Sequence, residues 1–124
     1  MPGMFSYHQI SGQLLRDGQP VAFGYSGHLE GRNNPAFQQV HNVGPIPQGL
    51  WSIEGPPFDS DDHGPFCLRL TPAPETRVFN RSGFLMHGDS KVHPGLASEG
   101  CIIMPRAARE QVWNSRDTNL TVSA

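Results

Sequence analysis

Two residues, Cys101 and His87, stand in settings that suit nucleophilic catalysis. The apolar run Gly83-Phe84-Leu85-Met86 delivers His87 to a turn, Gly88-Asp89. Ser90 to Ala97 follow as a polar loop. The small-residue turn Ser98-Glu99-Gly100 then delivers Cys101 just before a second apolar stretch, Ile102-Ile103-Met104. A free thiol is only a few per cent thiolate near neutral pH, so a cysteine nucleophile needs a base or a positive neighbour. An imidazole can take the thiol proton and return it to a leaving amine. Gly100 lets the backbone come close to a substrate carbonyl, and the N–H groups around Gly100 and Cys101 are candidate donors to the developing oxyanion. A strand end is a rigid mount that fixes the orientation of His87.

The neighbours of this pair carry two readings each. Ser98 is either an ordinary turn residue or a group that orients the site. Asp89 is a turn residue or a group that orders the site. Arg81 is a solvated surface charge or a bidentate holder of a peptide carboxylate. Tyr25 and Ser26 open a long polar loop and either line a substrate cleft or form a plain turn. Gly88 and Glu99, beside His87 and Cys101, join the candidate substrate-binding set. His93, in Lys91-Val92-His93-Pro94-Gly95, lacks the strand-His-Gly setting and reads as a loop residue rather than the base. Cys67 lies inside an alternating strand with no local base and reads as structural. A metal alternative exists, because His87, Asp89, His93 and Cys101 are acceptable zinc-ligand types, but their spacing matches no recurrent zinc pattern.

The elements that must position these residues are short. Phe5 to Ile10 reads as a strand before a Ser11-Gly12 turn. Leu14-Leu15-Arg16 meets Asp17-Gly18, a strong hairpin signal, with Val21 to Tyr25 as the return strand. Ser26 to Asn42 reads as a long loop, and loops of that length are often functional. Gly44 to Gly49 forms a rigid Pro/Gly turn feeding a strand, Leu50 to Ile53. Gly55 to Gly64 reads as a second loop. Phe66 to Leu70 alternates, with Phe66, Leu68 and Leu70 on one face and Cys67 and Arg69 on the other. Arg77 to Phe79 and Gly83 to Met86 read as short strands. Pro105 sits where a helix would begin, Arg106 to Trp113 holds good helix formers, and Asn119 to Ser123 alternates as a last strand. The sum is one mostly β domain over 1–124, with one or two short helices.

The totals exclude several partners. The chain has 124 residues, enough for one domain with its own core. Nine Lys and Arg against eleven Asp and Glu leave a formal charge of −2, with no basic stripe for nucleic acid and no polybasic run for an anionic membrane. Two cysteines are too few for a disulfide scaffold. Met1 to Ile10 lacks the pattern of a Sec-type signal peptide, and no apolar run approaches the roughly 18–20 residues that span a bilayer. The expectation is a soluble chain made in the cytosol, whose export needs another route.

Taken together, the His87-Gly88 and Ser98-Glu99-Gly100-Cys101 turns resemble the signature of the L,D-transpeptidases. The chain looks closest to the type VI secretion L,D-transpeptidase effectors. The resemblance covers Gly24-Tyr25-Ser26-Gly27, Asn33-Asn34-Pro35, Asn42 to Gly49, Ser82 to Asp89 and Ala97 to Ile103. It implies a small β-sandwich or barrel-like sheet. It also implies a cysteine enzyme acting on peptidoglycan stem tetrapeptides. Cys101 would attack the carbonyl of the L-centre of the third residue and His87 would protonate the departing D-alanine. The thioester would then pass to water, a D-amino acid or a stem amine, with no cofactor. It further implies delivery by type VI secretion into a rival's periplasm, and a cognate immunity protein. Two positions depart from the general pattern. Glu99 stands where a second histidine is usual, and Ile103 where arginine or asparagine is usual. Both departures favour trimming or exchange over crosslinking. The opposing reading from another class is a catalytically inactive wall-binding or interaction module.

Overall fold

A computed structural model describes residues 3–124. The described strands, in chain order, are β1 (Met4–His8), β2 (Gln13–Arg16), β3 (Gln19–Phe23), β4 (Tyr25–Ser26), β5 (Gly49–Ser60), β6 (Gly64–Pro72), β7 (Leu85–His87), β8 (Ile102–Ile103) and β9 (Asn119–Ser123). One α-helix, α1 (Arg106–Ser115), precedes β9. The mostly β expectation holds.

All nine strands belong to one sheet, in the order β3-β2-β1-β9-β5-β6-β7-β8-β4. β3 and β4 are thus its two edges, yet a single residue, Gly24, joins them in the chain. Successive Cα atoms lie about 3.8 Å apart, so the two edges are tied within a few ångströms and the sheet must curl until they meet. The ladder stays open between them, but the shape is the barrel-like one of the two expected. Gly24 donates to the Gly12 carbonyl at 2.8 Å, and a side chain there would collide with the carbonyl of Ile103.

Alternation fills the interior. Phe5 and Tyr7 of β1, and Leu120 and Val122 of its parallel neighbour β9, point into the main core. Trp51 and Phe84 pack edge to face with ring centres 4.9 Å apart. The Trp51 indole N–H donates to the Pro47 carbonyl, so its polar end is satisfied. Helix α1 follows Pro105, buries Ala108, Arg109 and Val112, and packs on β6 and β7. It ends where Arg116 takes a left-handed conformation, φ 65°.

Four expectations change. The Asp17-Gly18 hairpin forms, both residues having positive φ as a type I′ turn requires, but its return strand is Gln19–Phe23, and Tyr25 belongs to β4 at the opposite edge. Gly55 to Gly64 is not a loop. The register passes from Glu54↔Arg69 to Phe58↔Cys67, so Gly55-Pro56-Pro57 bulge out of a strand that continues to Ser60. A bulge is where a strand tolerates residues without an N–H. Arg77 to Phe79 is not a strand, because Phe79 and Asn80 both turn through left-handed φ, 57° and 59°. The alternation over Phe66 to Leu70 breaks at Phe66, φ 58°, so Cys67 and Leu68 are both buried. The long polar loop is partly organised by short 3-10 turns at Leu29–Gly31 and Pro35–Phe37.

Candidate functional site

β7 and β8 run parallel, with Met86 opposite Ile102 and His87 opposite Ile103. Met86 and Ile102 enter the main core. Alternation therefore puts His87 and Ile103 on the other face. Cys101 and Ile103 pack with Tyr25, Leu85 and Ala97. The nucleophile candidate thus sits in the bend just before β8 and packs with Ile103, the residue opposite His87.

His87 is 1% exposed. Its Nδ1 lies 2.8 Å from the Gly88 carbonyl, a contact that requires Nδ1 to carry the proton. Nε2 is then a bare lone pair, and it is buried with no hydrogen-bond partner among the described residues. Burial is the main reason that the pKa falls to about 4. The Gly88 carbonyl opposes the fall, His63 and Arg109 add to it, and Asp89 opposes it. At neutral pH the imidazole is an uncharged acceptor.

Cys101 is a free cysteine, almost buried. Its Sγ lies 3.8 Å from the Gly83 carbonyl, and no hydrogen bond joins it to His87. Burial pushes its pKa up to about 11 against smaller lowering effects from the Leu85 backbone and Arg81. The resting pair is therefore a thiol and a neutral imidazole, not a thiolate and an imidazolium.

The turn ahead of Cys101 is held from both sides. Ser98 Oγ donates to the Cys101 carbonyl at 2.7 Å and accepts from the Gly27 N–H at 2.9 Å and the Gly100 N–H at 3.1 Å. Ser26 Oγ donates to the Gly100 carbonyl at 3.3 Å and accepts from the Ile46 N–H at 2.8 Å. Ser26 is fully buried, so it supports the turn and does not line the cleft. The Gly100 N–H is occupied by Ser98, which corrects the expectation that it faces an oxyanion. Gly100 itself has φ 136°, and a side chain there would run into the Arg81 guanidinium.

Arg81 is neither a surface charge nor an open carboxylate fork. It is 5% exposed. Nη1 donates to the carbonyls of Gln38 and Pro45, and Nη2 to those of Gly44 and Glu99. It laces the loop before β5 to the turn before Cys101. No carboxylate among the described residues pairs with it, so its charge sits behind the Gly100 turn.

Tyr25 and Asp89 act as a unit. The Tyr25 hydroxyl donates to Asp89 Oδ1 at 2.6 Å and accepts from the Ala97 N–H at 3.0 Å. Asp89 also accepts from the N–H groups of Ser90 and Gly95. Burial would raise the Asp89 pKa, but these donors outweigh it and hold the carboxyl below its usual value. Burial and Asp89 push Tyr25 up to about 12. Asp89 therefore ties down the loop between the two catalytic candidates. His93 is exposed on that loop, and its N–H donates to Ser90 Oγ.

Two cavities meet here. A cleft of about 1270 Å³ is lined by His87, Gly88, Asp89, Tyr25 and Arg109 among others. A smaller one, about 310 Å³, is lined by Cys101, Gly100, Arg81 and Phe84. His63, Ala97 and Glu99 border both. Glu99 is exposed on this shared rim, whereas Ile103 is buried. Two residues of the site were not singled out in the sequence. His63, at the tip of the β5–β6 hairpin, sets its ring 4.5 Å from that of His87. Arg109 reaches the cleft from α1. Neither has a local signal: His63 fell in a stretch read as a loop, and Arg109 in a run of helix formers. No group of three or more His, Cys, Asp or Glu side chains among the described residues gathers as a metal site.

No helix among the described residues is long and apolar enough to cross a membrane. No curated protein matches the chain significantly. A family model described as the Tlde1 domain matches residues 21–123, which include β4, β7, β8, α1 and both catalytic candidates. The chain therefore belongs to the Tlde1 domain family, a family of type VI secretion effector domains.

Proposed function

We propose that this domain is a cysteine enzyme that removes or exchanges the terminal D-alanine of peptidoglycan stem tetrapeptides. The observation that carries the reading is the His87 Nε2 atom: a buried, neutral acceptor with no hydrogen-bond partner among the described residues, opposite Ile103, with which Cys101 packs. A buried polar atom left unsatisfied costs stability, and one beside a candidate nucleophile fits a proton-transfer role.

In the reaction, Cys101 Sγ attacks the carbonyl carbon of the third stem residue as His87 Nε2 takes the thiol proton. Gly88 holds the ring in the tautomer that this needs. The Cys101 N–H is the remaining candidate donor to the oxyanion. Nε2 then gives its proton to the nitrogen of D-alanine, the peptide bond breaks, and a thioester remains on Cys101. Water attacks it with His87 again as base, releasing a tripeptide acid and restoring the thiol. A D-amino acid amine attacking in the same way gives an exchanged tetrapeptide. Ser98, Ser26 and Arg81 keep the Gly100-Cys101 turn in place, and no cofactor enters the scheme. The apolar, buried Ile103 offers an incoming stem amine no hydrogen bond, so trimming and exchange are favoured over crosslinks.

The substrate lies outside the inner membrane, so the domain acts in the periplasm of a recipient cell after type VI delivery. A producing cell then needs an immunity protein. Expression in a bacterium tests this. Protein kept in the cytosol is expected to be tolerated. The same chain behind a periplasmic signal peptide should be toxic and deplete stem tetrapeptides in the isolated wall. Equal toxicity from the cytosol, or an unchanged wall in poisoned cells, would assign the harm to another substrate.

A further inference from the structure

We propose that Arg109 is the anchor for the C-terminal carboxylate of the peptide whose last residue departs, binding it in the cleft beside His87. The inference rests on the proposed reaction and says which end of the peptide enters the larger cavity.

Arg109 is buried, with 5% of the residue exposed. Three carbonyls hold it. Nε donates to Met104 at 3.0 Å, and Nη1 donates to Pro65 and Phe66, each at 2.8 Å. These bonds fix the plane of the fork and leave the second terminal nitrogen, Nη2, without a hydrogen bond among the described residues. No carboxylate pairs with Arg109, the described ion pairs being Arg16–Asp117 and Arg106–Glu110. Nη2 lies against Gly88, where a Cβ would come within 2.7 Å of it. Only glycine leaves this approach open, and Gly88 directly follows the base.

The other charged groups of the cleft fit an anionic guest. Its lining carries Arg32, Lys91 and Arg106 besides Arg109, against Asp62, Asp89 and Glu99. Asp89 already accepts from Tyr25, Ser90 and Gly95. Arg32 is stacked on the Tyr25 ring at 4.3 Å, and Arg106 faces Glu110 at 3.3 Å. Among the described residues that line the cleft, Arg109 is the cation held by backbone carbonyls and without a carboxylate partner. A preorganised fork of this kind loses little freedom when it meets a carboxylate.

Chain geometry of the substrate agrees. His87 gives its proton to the nitrogen of the departing amino acid, and one Cα separates that nitrogen from the carboxylate. The carboxylate must therefore lie close to His87, and Gly88 and Arg109 line the same cleft as His87, a cleft that Cys101 does not border. Arg81, the sequence-based candidate for this task, has both terminal nitrogens occupied and borders the other cavity.

Calorimetric binding to the Cys101→Ala protein separates recognition from turnover. Two stem tetrapeptides are compared, one ending in free D-alanine and one in D-alaninamide. The acid should bind at least about tenfold more tightly, the range expected for hydrogen bonds to a charged group. In the Cys101→Ala/Arg109→Gln protein the acid should weaken to the level of the amide while the amide is unchanged. Thermal melts check that this variant folds. If it does not, the acid-to-amide ratio on the Arg109 protein decides alone. Equal binding of acid and amide overturns the Arg109 assignment, and if the protein with Cys101 intact still trims the acid, the enzyme reading survives. No binding of either peptide together with no trimming overturns both.

Discussion

Cys101→Ala protein is expected to fold and to release no D-alanine from disaccharide tetrapeptide. The change removes one sulfur atom from a nearly closed site, and a truncation of this size should lower stability by no more than about 1–2 kcal/mol. It removes the only nucleophile the scheme uses. Cys67→Ala should retain most activity, because Cys67 is buried beside the Gly64 carbonyl at the hairpin end of β6. Labelling of the unaltered protein by iodoacetamide adds a second readout. With the thiol pushed up to about 11 by burial, labelling at Cys101 should be slow at neutral pH and rise as the pH climbs toward that value. Full activity in the Cys101 variant, followed by product mass, would end the assignment.

His87→Ala should lower the rate by at least about 10²-fold, the usual contribution of a positioned general base. His93→Ala, on the exposed loop, should change it far less. The working form of His87 is the neutral one, and its pKa is depressed to about 4, so protonation is complete only below that value. The acid limb of the rate profile should therefore lie near pH 4 rather than near the ordinary histidine value of about 6.5. The same sign governs stability. The unfolded chain binds this proton below about pH 6.5 and the folded chain does not until about 4, so the contribution of His87 is full above 6.5 and is lost as the pH falls between them. Stopped-assay rates from pH 3 to 8 check the profile. An essential His93 beside a dispensable His87 would show that the wrong imidazole had been named.

What the sequence disclosed and what it hid divide along the range of the interactions. Turn chemistry is local, so the Asp17-Gly18 hairpin, the start of α1 at Pro105 and β9 were readable in place. The strand before His87 and the turn before Cys101 were readable for the same reason. The parallel pairing of β7 with β8 is a tertiary fact that no local pattern in the sequence reports. The long β5–β6 hairpin was hidden because Gly55-Pro56-Pro57 reads as a break, whereas a bulge carries the strand past it. His63 was lost with it. Arg81 was misjudged because nothing near it in sequence reports that Gln38, Gly44 and Pro45 turn their carbonyls toward it. Arg109 was invisible because a helix-forming arginine looks alike whether it faces water or a cleft. Ser26 and Ser98 were named as site residues, and the structure gives them the task of bracing the Gly100-Cys101 turn.

The central claim is that a thioester forms on Cys101 and passes to a small acceptor. A time course of purified protein on disaccharide tetrapeptide, with products weighed by mass spectrometry, tests it directly. The account predicts disaccharide tripeptide and free D-alanine as the leading products, with an exchanged tetrapeptide replacing the tripeptide when another D-amino acid is in excess. Unchanged tetrapeptide, or dimers joined between third residues as the main product, would contradict it.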